Sequence, residues 1–591
     1  MANAPIRDGG YNLPEVLFVG LICFLIIWSI WGKSIEKKVY GQPLLPHTEE
    51  ENFGAQIILS KTDSNTADLR VGHIYPNSPA EFAGLKTGDQ IVGLDGRLVS
   101  SPEMARNIIS ANRSATALKV TIKHNDRNID IYVRQNDQLP ANKTLKSLSL
   151  SPSKQILTII VFLVLTVLLF FYLYKNIESR MYTVTFFAVA VVLVGIFFRT
   201  YNPVDAFFAI KFNTISLLLG MGIISVVLDQ AGFFDCVAYR IHGFAGTSRF
   251  KILILFCLMS FFFSLIVNNL TTILVIVPMT LNLSAKVGFD PRPIIIGEII
   301  ASNLGGASTM VGDFPNMLIS AEAGIGFNQF IVFMMPVCLI LLGILLVFLM
   351  VKCEDRDNMP KEKTRPVKIV RPRLTDRERK AVTKAISILC LVILFFTFSK
   401  GISVAPSAIA LLGGLTLYLF AGINRRRILT QVGFKDIQFF IGLFIVVGSL
   451  ETCGLLQYIS RGITLLSFGK SWLLCLVLMW VAAFLTAFLS AGPTTALLFP
   501  VVLGIGIAPP HHVIWWALSL GVLAGSSASI VGATAGPVAT SLLENFSSKY
   551  QLNTKGTHTI TYQQFTSIGV PMMFMILAAS SIYILCLCTV L

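Results

Sequence analysis

Segments of about 20 predominantly apolar residues recur along almost the whole chain, and they limit the possible folds more than any other feature. Each segment is long enough to cross the ~30 Å hydrocarbon core of a bilayer. Backbone N–H and C=O groups find no water there, so such segments must be helices that satisfy their own hydrogen bonds. Only 13 % of the 591 residues are charged, against about 25 % in soluble proteins. The sequence therefore predicts an all-α polytopic membrane protein.

The net charge of +15 does not indicate a nucleic-acid partner. The basic residues cluster in short loops between apolar spans, as the positive-inside rule produces, and no basic helix carries interleaved aromatic residues that could stack on bases. The ten cysteines show neither metal-ligand spacing nor a disulfide framework. The His-Glu-x-x-His motif of membrane proteases does not occur, and His511-His512 lack an accompanying Gly-x-Ser-x-Gly. We therefore expect no enzyme activity and no cofactor beyond Na⁺ or H⁺ as a coupling ion.

The apolar spans fall into two halves around a basic linker. Residues 156–351 and 385–591 each contain five spans and one interrupted block, and the linker 352–384 carries twelve Lys or Arg against six Asp or Glu. An apolar segment within residues 1–32 precedes them. Paired halves of this kind are typical of transporters built from inverted repeats. We therefore predict two oppositely inserted repeats that follow an N-terminal transmembrane anchor.

Short sequence matches support the repeat. Asn269–Pro278 in the first half resembles Gly492–Pro500 in the second, with a Thr-Thr pair in each. Further along, Ala307–Gly312 resembles Ser527–Gly532. Each match alone could arise by chance, but the two occur in the same order and at nearly the same spacing. They predict that Thr271-Thr272 and Thr494-Thr495 occupy equivalent places.

Residues 51–138 differ from the rest of the chain because they are polar. The alternating runs 120–123 and 128–133, with Asn-Asp and Asp-Gly turns nearby, predict the strands of a small soluble α/β domain. This domain lies between the first and the second transmembrane helix.

Within this domain, Pro76–Gly96 resembles the core of bacterial PDZ domains. The resemblance implies that the helix Ser101–Ala111 and the strand Phe53–Leu59 flank a groove to which an extended peptide can add. Two alternatives stay open. The groove captures a peptide from a protein partner or from this chain, or the domain is a spacer that binds nothing.

The most basic loop fixes the predicted orientation. The positive-inside rule places the linker in the cytoplasm, and counting the crossings then places Arg425–Arg427 inside and the PDZ-like domain outside. Lysines near the membrane on both sides of that domain favour the opposite placement: Lys33, Lys37, Lys38, Lys143, Lys146 and Lys154. Long domains translocate largely regardless of such charges. We expect the domain on the extracytoplasmic side of a plasma or inner membrane.

Four runs rich in Gly, Ser, Thr and Asn interrupt the spans, at 268–272, 302–316, 490–495 and 525–536. Non-helical backbone at membrane depth persists only where it lines a cavity or is buried in protein. The N–H groups at a half-helix start suit an anion, and the carbonyls at a half-helix end suit Na⁺. Small residues also permit close helix packing, but four symmetric runs favour a binding site. The candidate substrate and ion ligands are Asn268, Asn269, Thr271, Thr272, Ser302, Asn303, Gly312, Asp313, Asn316, Ser490, Gly492, Thr494, Thr495, Ser526, Ser527, Ser529 and Gly532.

Two stretches of the first half resemble a known group of transporters. Phe262–Thr272 is similar to the first re-entrant hairpin, and Gly297–Asn316 to the broken helix that follows it, in the ion-transporter superfamily. That superfamily includes arsenite permeases, sodium–proton antiporters, the P protein and divalent anion–sodium symporters. The resemblance covers roughly residues 156–591 and implies a citrate-transporter-like domain with about 11 transmembrane helices and two re-entrant hairpins. It also implies elevator-type movement against a scaffold that forms a homodimer.

Two positions depart from the antiporter branch of that superfamily, which has an acidic residue at each hairpin tip. Asn268 and Ser490 occupy those places here. Proton exchange needs a titratable group, usually a buried carboxylate, and Glu298 and Asp313 remain as candidate proton or cation carriers. The neutral site favours a small carboxylate or oxyanion transported with Na⁺. The alternatives are a sodium–proton or other cation antiporter and a non-transporting scaffold that acts through its PDZ-like domain.

Overall fold

A computed structural model describes most of the chain. The described residues are single helical positions between Phe18 and Trp28, the six strands between Ala55 and Val133 with Val99, and residues 152–175, 180–234, 236–237, 249–287, 289–354, 374–402, 404–505, 512–549 and 559–590. The chain divides into two compact units. One consists of Met1–Lys33 and Pro152–Leu591, and the other, inserted between these segments, is Ser34–Ser151.

The inserted unit contains an antiparallel sheet. Its strands are β1 (Ala55–Lys61), β2 (Ala67–Ile74), β3 (Gln90–Leu94), β4 (Arg97–Leu98), β5 (Leu118–His124) and β6 (Arg127–Val133). They lie in the order β1-β2-β3-β5-β6, with β4 beside β3. His124 pairs with Arg127, which leaves two residues between the predicted strands β5 and β6. The predicted helix Ser101–Ala111 lies outside the described residues.

The larger unit is helical. The first half contains α1 (Pro152–Lys175), α2 (Arg180–Phe198), α3 (Pro203–Ala209), α4 (Phe212–Gln230), α5 (Arg249–Ser264), α6 (Asn269–Val287), α7 (Arg292–Ser308), α8 (Phe314–Ala323) and α9 (Phe327–Glu354). The second half contains α10 (Asp376–Ile402), α11 (Pro406–Phe420), α12 (Arg425–Gln431), α13 (Phe434–Thr452), α14 (Leu455–Leu466), α15 (Ser471–Leu489), α16 (Ala491–Leu503), α17 (Val513–Ser526), α18 (Gly536–Lys549) and α19 (Tyr562–Val590).

Eight helical segments in the described part of the chain are long and apolar enough to cross a membrane. They comprise α1, α2, α4, α9, α10, α12 with α13, α15 and α19, while α5, α6, α11, α16 and α17 are shorter apolar helices. The pairs α5–α6 and α15–α16 are the two interrupted blocks, and α7–α8 and α17–α18 are the two broken spans. The predicted all-α membrane architecture is therefore confirmed.

The two repeats are visible in the way the helices pack. Within each half, the first hairpin arm packs on the broken span, as α5 on α7 and α15 on α17. Between the halves, α2 packs on α13 and α4 on α11, and α8 packs on α16 as α6 does on α18. These four contacts form two reciprocal pairs, as expected for inverted repeats related by a pseudo-twofold axis.

Capping residues, glycine and proline shape the helices next to the candidate site. Asp313 is the N-cap of α8, a proline occupies the first turn, and Gly324 ends the helix with φ of 70°. Pro278 lies inside α6 and Pro500 inside α16, at matching places of the two hairpins. Proline removes one backbone hydrogen bond from each of these short helices.

Three features were not predicted from the sequence. The short helices α3, α12 and α14 lie between the spans, and α3 begins with a capping box of Asn202 and Asp205. Helix α9 runs to Glu354 and α10 begins at Asp376, so helical turns extend into both ends of the basic linker. Near the N-terminus, the ring centroid of Phe18 lies 5.0 Å from that of Tyr418 in α11.

Candidate functional site

The first re-entrant hairpin reverses direction at Asn268, directly before α6 begins. The Oδ1 atom of Asn268 accepts a hydrogen bond from the Thr271 amide at 2.8 Å, and its carbonyl accepts one from the Thr272 amide at 3.1 Å. Asn268 therefore caps a helix of 19 residues. The structure thus starts a half-helix at the predicted tip.

A chain of buried side-chain hydrogen bonds leads from this tip into both halves of the protein. Ser264 Oγ donates to Asn269 Oδ1 at 2.5 Å, and Asn269 Nδ2 donates to Asn303 Oδ1 at 3.1 Å. Asn303 Nδ2 in turn donates to the carbonyl of Ser526 at 3.2 Å. Because the bonded amides are buried, a bond lost here leaves a costly unsatisfied group. The chain therefore holds the first tip against α7 and against the end of α17.

Asp313 lies beside this chain, in the break between α7 and α8. Its Oδ1 atom accepts a hydrogen bond from the Phe314 amide at 2.9 Å, and its Cβ approaches the Asn269 side chain across Gly306. The close approach requires a glycine at position 306. A Cβ on Gly306 would lie 2.5 Å from Asn269 Oδ1 and 3.1 Å from Asp313 Cβ. This tip therefore combines one carboxylate with the amide oxygens of two asparagines.

Asn316 positions the same break from the other side. Its Nδ2 atom donates to the carbonyls of Ala307 and Thr309, at 2.8 and 2.9 Å. Its Oδ1 atom accepts a hydrogen bond from Ser519 Oγ of α17 at 2.7 Å. The sequence predicted that carbonyls at the end of α7 bind Na⁺. In the structure the carbonyls of Ala307 and Thr309 instead accept hydrogen bonds from Asn316. The role of Asn316 in this structure is to fix the geometry of the break.

Both breaks contain the same hydroxyl bridge. In each half, a side-chain hydroxyl in the break donates a hydrogen bond of 2.7 Å to a backbone carbonyl near the end of the helix that enters the hairpin, α5 or α15. The same hydroxyl accepts a hydrogen bond from the amide of a glycine three residues further on. The amide-to-hydroxyl distances are 3.1 and 2.9 Å. The hydroxyl, carbonyl and amide belong to Thr309, Leu265 and Gly312 in the first half and to Ser529, Ala487 and Gly532 in the second. The bridge shows which residues of the two breaks are equivalent: Thr309 corresponds to Ser529, and Gly312 to Gly532.

The second hairpin reverses direction at Ser490, which has φ of 71° and ψ of 165°. Non-glycine residues adopt this region only under strain. The Ser490 carbonyl accepts a bond from the Thr494 amide at 3.3 Å, as that of Asn268 does from Thr272, but its side chain makes no capping bond. Thr272 is therefore equivalent to Thr494. The sequence match paired Thr272 with Thr495, and this pairing is wrong by one residue because the helix start sets the register.

Thr272 and Thr494 occupy the fourth position of their helices and have a second property in common. They are 2 % and 0 % exposed, and in the part of the chain that the structure describes neither Oγ1 atom has a hydrogen-bond partner. A buried hydroxyl without a partner costs about 1–3 kcal/mol. Four other candidate hydroxyls instead donate to carbonyls of their own helices, namely those of Ser302, Thr495, Ser526 and Ser527.

An aromatic stack lies next to the site, and sequence reasoning missed it. The rings of Phe314 and Phe440 stack with centroids 3.6 Å apart and planes 7° from parallel. Phe314 directly follows Asp313, whereas Phe440 belongs to α13. Gly492 of the second tip lies against this stack, because a Cβ there would be 2.7 Å from the Phe440 ring. Gly492 thus serves packing in this structure.

Glu298 lies apart from the hydrogen-bonded tip. Its Oε1 atom accepts a hydrogen bond from Thr280 of α6, and its Oε2 atom is buried with no partner among the described residues. Along α7 it precedes Asn303 by five residues, which is roughly 7.5 Å of helix rise. The structure therefore separates the two carboxylates that the sequence proposed as carriers.

Comparison with known families decides the class of protein. The sequence profile described as "Citrate transporter" matches residues 160–521, more than half of the chain, and the profile described as "PDZ domain" matches residues 54–134. The chain belongs to the citrate transporter family. It is an integral membrane transporter with an inserted PDZ domain, and the resemblance seen in the first hairpin and its broken helix is confirmed.

Proteins from bacteria and from a mammal are similar in sequence to this citrate transporter family member. "Magnetosome protein MamN" of Magnetospirillum gryphiswaldense is 33 % identical over 70 % of this chain and 95 % of its own length. An "Uncharacterized transporter" of Mycobacterium tuberculosis is 31 % identical over 64 % of this chain and 86 % of its own. The "P protein" of Sus scrofa is 25 % identical over 64 % of this chain and 53 % of its own, so the chain spans about half of that relative.

Proposed function

We propose that this transporter moves a small anion, a carboxylate or an oxyanion, together with Na⁺. The observation that carries the proposal is the pair of buried hydroxyls of Thr272 and Thr494 without partners. Both lie near the N-terminus of a half-helix, where the backbone amides carry partial positive charge and anionic groups bind well. Ligand oxygens that accept bonds from these hydroxyls would remove the cost of leaving them unpaired. The family description as citrate transporters supports a carboxylate.

The first tip is our proposed place for the coupling cation. Na⁺ binds in transporters where broken helices offer carbonyl oxygens and half-helix ends, and hard cations prefer carboxylate and amide oxygens. Asn269 and Asn303 supply amide oxygens within one hydrogen-bonded chain, and the carboxylate of Asp313 lies beside it across Gly306. In our proposal these oxygens coordinate Na⁺ in place of some hydrogen bonds of the chain, so Na⁺ binding and the arrangement of the tip depend on each other.

Two groups of helices support an elevator-type movement. The hairpins pack on the broken spans, as α5 on α7 and α15 on α17, whereas α2 and α4 pack on α13 and α11 of the opposite half. In our proposal the hairpins and the broken spans move as one unit against α2, α4, α11 and α13, and these four helices also form the interface of a homodimer. The stack of Phe314 on Phe440 joins the two groups, so this contact would separate during the movement.

Uptake into proteoliposomes tests the proposal directly. The purified full chain is reconstituted, and uptake of labelled dicarboxylates, tricarboxylates and oxyanions is measured with and without an inward Na⁺ gradient. We expect at least one anion to accumulate only with the Na⁺ gradient. Thr397→Val is a suitable control variant, because its hydroxyl is exposed and donates to its own helix. Accumulation that ignores Na⁺, or no anion uptake at all, would contradict the proposal.

A cation antiporter is the second candidate, and the buried carboxylates favour it. Glu298 has one oxygen without a partner in the described part of the chain, and Asp313 lies at the hydrogen-bonded tip. Intramembrane carboxylates of this kind carry protons in many transporters. The same proteoliposomes distinguish the two candidates. A Na⁺ gradient that acidifies or alkalinises the lumen without any anion would favour exchange of Na⁺ for H⁺.

The PDZ domain suggests a protein partner, and we propose that it takes an extended peptide on the extracytoplasmic side. PDZ domains bind peptides by adding them as a strand to a sheet edge, and β1 lies at the edge of this sheet. A cysteine introduced at Asn125 should react with an impermeant thiol reagent on intact cells. If it reacts only after permeabilisation, the domain is cytoplasmic. Partners that co-purify through this domain from a protein without transport activity would favour the scaffold alternative.

A further inference from the structure

Helices α10 and α11 enclose a groove on the membrane-facing surface. The two helices touch closely where Gly413 of α11 meets α10, because a Cβ at Gly413 would lie 2.5 Å from Val392 Cγ2 and so overlap it. Towards the end of α11 they leave an open groove with a volume of about 310 Å³. This volume lies at the lower end of the range of small-molecule sites. Leu417 and Phe420 provide part of its apolar lining.

One end of this groove is basic. The Nζ atom of Lys384 donates to the carbonyl of Phe420 at 2.9 Å, and Arg377 Nε donates to that of Gly422 at 2.7 Å. These cations satisfy carbonyls that the end of α11 leaves unpaired. A lysine ammonium has three donors, so the bond to Phe420 leaves Lys384 able to bind a further acceptor within the groove.

A second cation stands on the same face without a partner. Lys380 precedes Lys384 by one turn, is exposed, and has no hydrogen bond or ion pair with any residue that the structure describes. Glu378, on the same helix, is bonded to the amide and the hydroxyl of Thr375. Among the described residues no carboxylate forms an ion pair with Lys380 or Lys384, and the basic residues of this helix end, Arg377, Arg379, Lys380 and Lys384, outnumber its acidic residues Asp376 and Glu378. This end of the groove therefore carries net positive charge.

The basic end and the apolar part of the groove are arranged like the headgroup and the acyl chain of a lipid. The apolar part of α10 begins at Ala385, so Lys384 lies at the boundary between polar and apolar surface. Beyond this boundary the groove is apolar, with exposed hydroxyls of Ser387 and Thr416 along its sides. A phosphate at the basic end would thus lie at headgroup depth while an acyl chain follows the apolar part.

We propose that this groove binds one anionic phospholipid of the phosphatidylglycerol type. The phosphate contacts Lys384 and Lys380, one acyl chain lies along Ile388 and Phe420, and the hydroxyls face the ester oxygens. A lipid with net negative charge fits because the end of the groove has uncompensated cations, which attract anionic lipids at the membrane surface. A zwitterionic lipid gains the apolar contact but not the net charge attraction.

Lipid binding to the purified full chain tests the assignment. The protein is delipidated in detergent, and bound lipid is measured by native mass spectrometry after addition of dioleoylphosphatidylglycerol or dioleoylphosphatidylcholine. We expect the wild type to prefer the anionic lipid. Each lysine near an anionic headgroup contributes about fivefold in affinity, so Lys380→Gln with Lys384→Gln should reduce the preference by roughly tenfold or more.

Two further variants keep the test decisive. Thr416→Phe fills the groove without changing charge and should abolish tight binding of the anionic lipid. Lys470→Gln removes a lysine near Trp472, away from the groove, and should change nothing. Equal binding of both lipids by the wild type, or an unchanged preference in the double variant, would overturn the proposal. So would disulfide cross-linking of two copies through Thr416→Cys in phosphatidylglycerol vesicles, because a second copy would then occupy the groove.

Discussion

The two re-entrant tips share a hydrogen bond at the helix start and a hydroxyl bridge, but they differ in the backbone of the turn and in their polar side chains. Four residues connect α5 to α6 and one connects α15 to α16, and only Ser490 of the two capping residues has a positive φ. In both halves a capping residue accepts a bond from the fourth residue of the half-helix, and a hydroxyl bridges the adjacent break. The amide and carboxylate groups are confined to the first half. In the register of the hydroxyl bridge and the helix starts, Asn269, Asn303 and Asp313 correspond to Ala491, Leu523 and Ala533.

This difference separates two tasks of a tip, which are to start a half-helix and to supply oxygens for a cation. Both halves keep the backbone hydrogen bond at the half-helix start and the bridging hydroxyl, so these features serve the tip itself. The oxygens suited to a cation occur at one tip. The first tip is also held by a chain of hydrogen bonds, whereas the second rests with Gly492 against the aromatic stack. We therefore expect the halves to respond differently to equivalent substitutions.

The largest difference should appear at Asp313 and its counterpart Ala533. Asp313→Asn keeps an N-cap for α8 but removes the carboxylate that lies beside the first tip across Gly306. Hydrogen bonds and contacts of a charged group contribute about 1.5–3 kcal/mol, so Na⁺-driven uptake should fall roughly 10- to 100-fold. Ala533→Ser should stay within about threefold. The measurement is initial uptake against Na⁺ concentration, and equal losses in both variants would contradict a cation site in one half.

The second difference concerns stability. Asn269→Ala leaves the Ser264 hydroxyl and Asn303 Oδ1 buried without partners, so it should lower the unfolding free energy by about 2 kcal/mol. Ala491→Gly, at the equivalent place, should cost about 1 kcal/mol, because it removes one buried methyl group and some helix propensity but leaves no polar group unpaired. Thermal unfolding in detergent compares the two variants. Equal losses would show that the hydrogen-bonded chain contributes little.

Sequence reasoning located the tips well because their signals are local. Asn, Gly and Pro interrupt an apolar span wherever they occur, and the half-helices begin at the predicted places, after Asn268 and Ser490. The register of the second tip was misjudged because a Thr-Thr pair is a weaker marker than the capping bond. Contacts such as that of Asn303 with Ser526 join residues more than 200 positions apart. No local pattern encodes such contacts, and the stack of Phe314 on Phe440 escaped prediction for the same reason.

The third difference concerns the capping residues. Ser490 has φ of 71° and ψ of 165°, which only glycine adopts without strain. Ser490→Gly should therefore raise the unfolding free energy by about 1 kcal/mol, whereas Ser490→Ala should bring no gain because alanine is strained equally. Asn268→Ala should lower it by about 1 kcal/mol through loss of the cap. A loss on Ser490→Gly would show that the serine hydroxyl holds the tip.

The smallest effect tests what the two halves share. Thr272→Val and Thr494→Val each remove a buried hydroxyl without a partner, so neither should destabilise the ligand-free protein, and a slight gain is expected. Each should nevertheless weaken the apparent affinity for the transported anion by about 2- to 10-fold, because one neutral hydrogen bond contributes about 0.5–1.5 kcal/mol. The two effects should be similar if both tips face one anion. Thr495→Val is the matched control, since its hydroxyl already donates to the carbonyl of Ala491. A loss of stability in the ligand-free Thr272→Val or Thr494→Val protein, with unchanged affinity, would show that these hydroxyls serve packing and would remove the main support for anion transport.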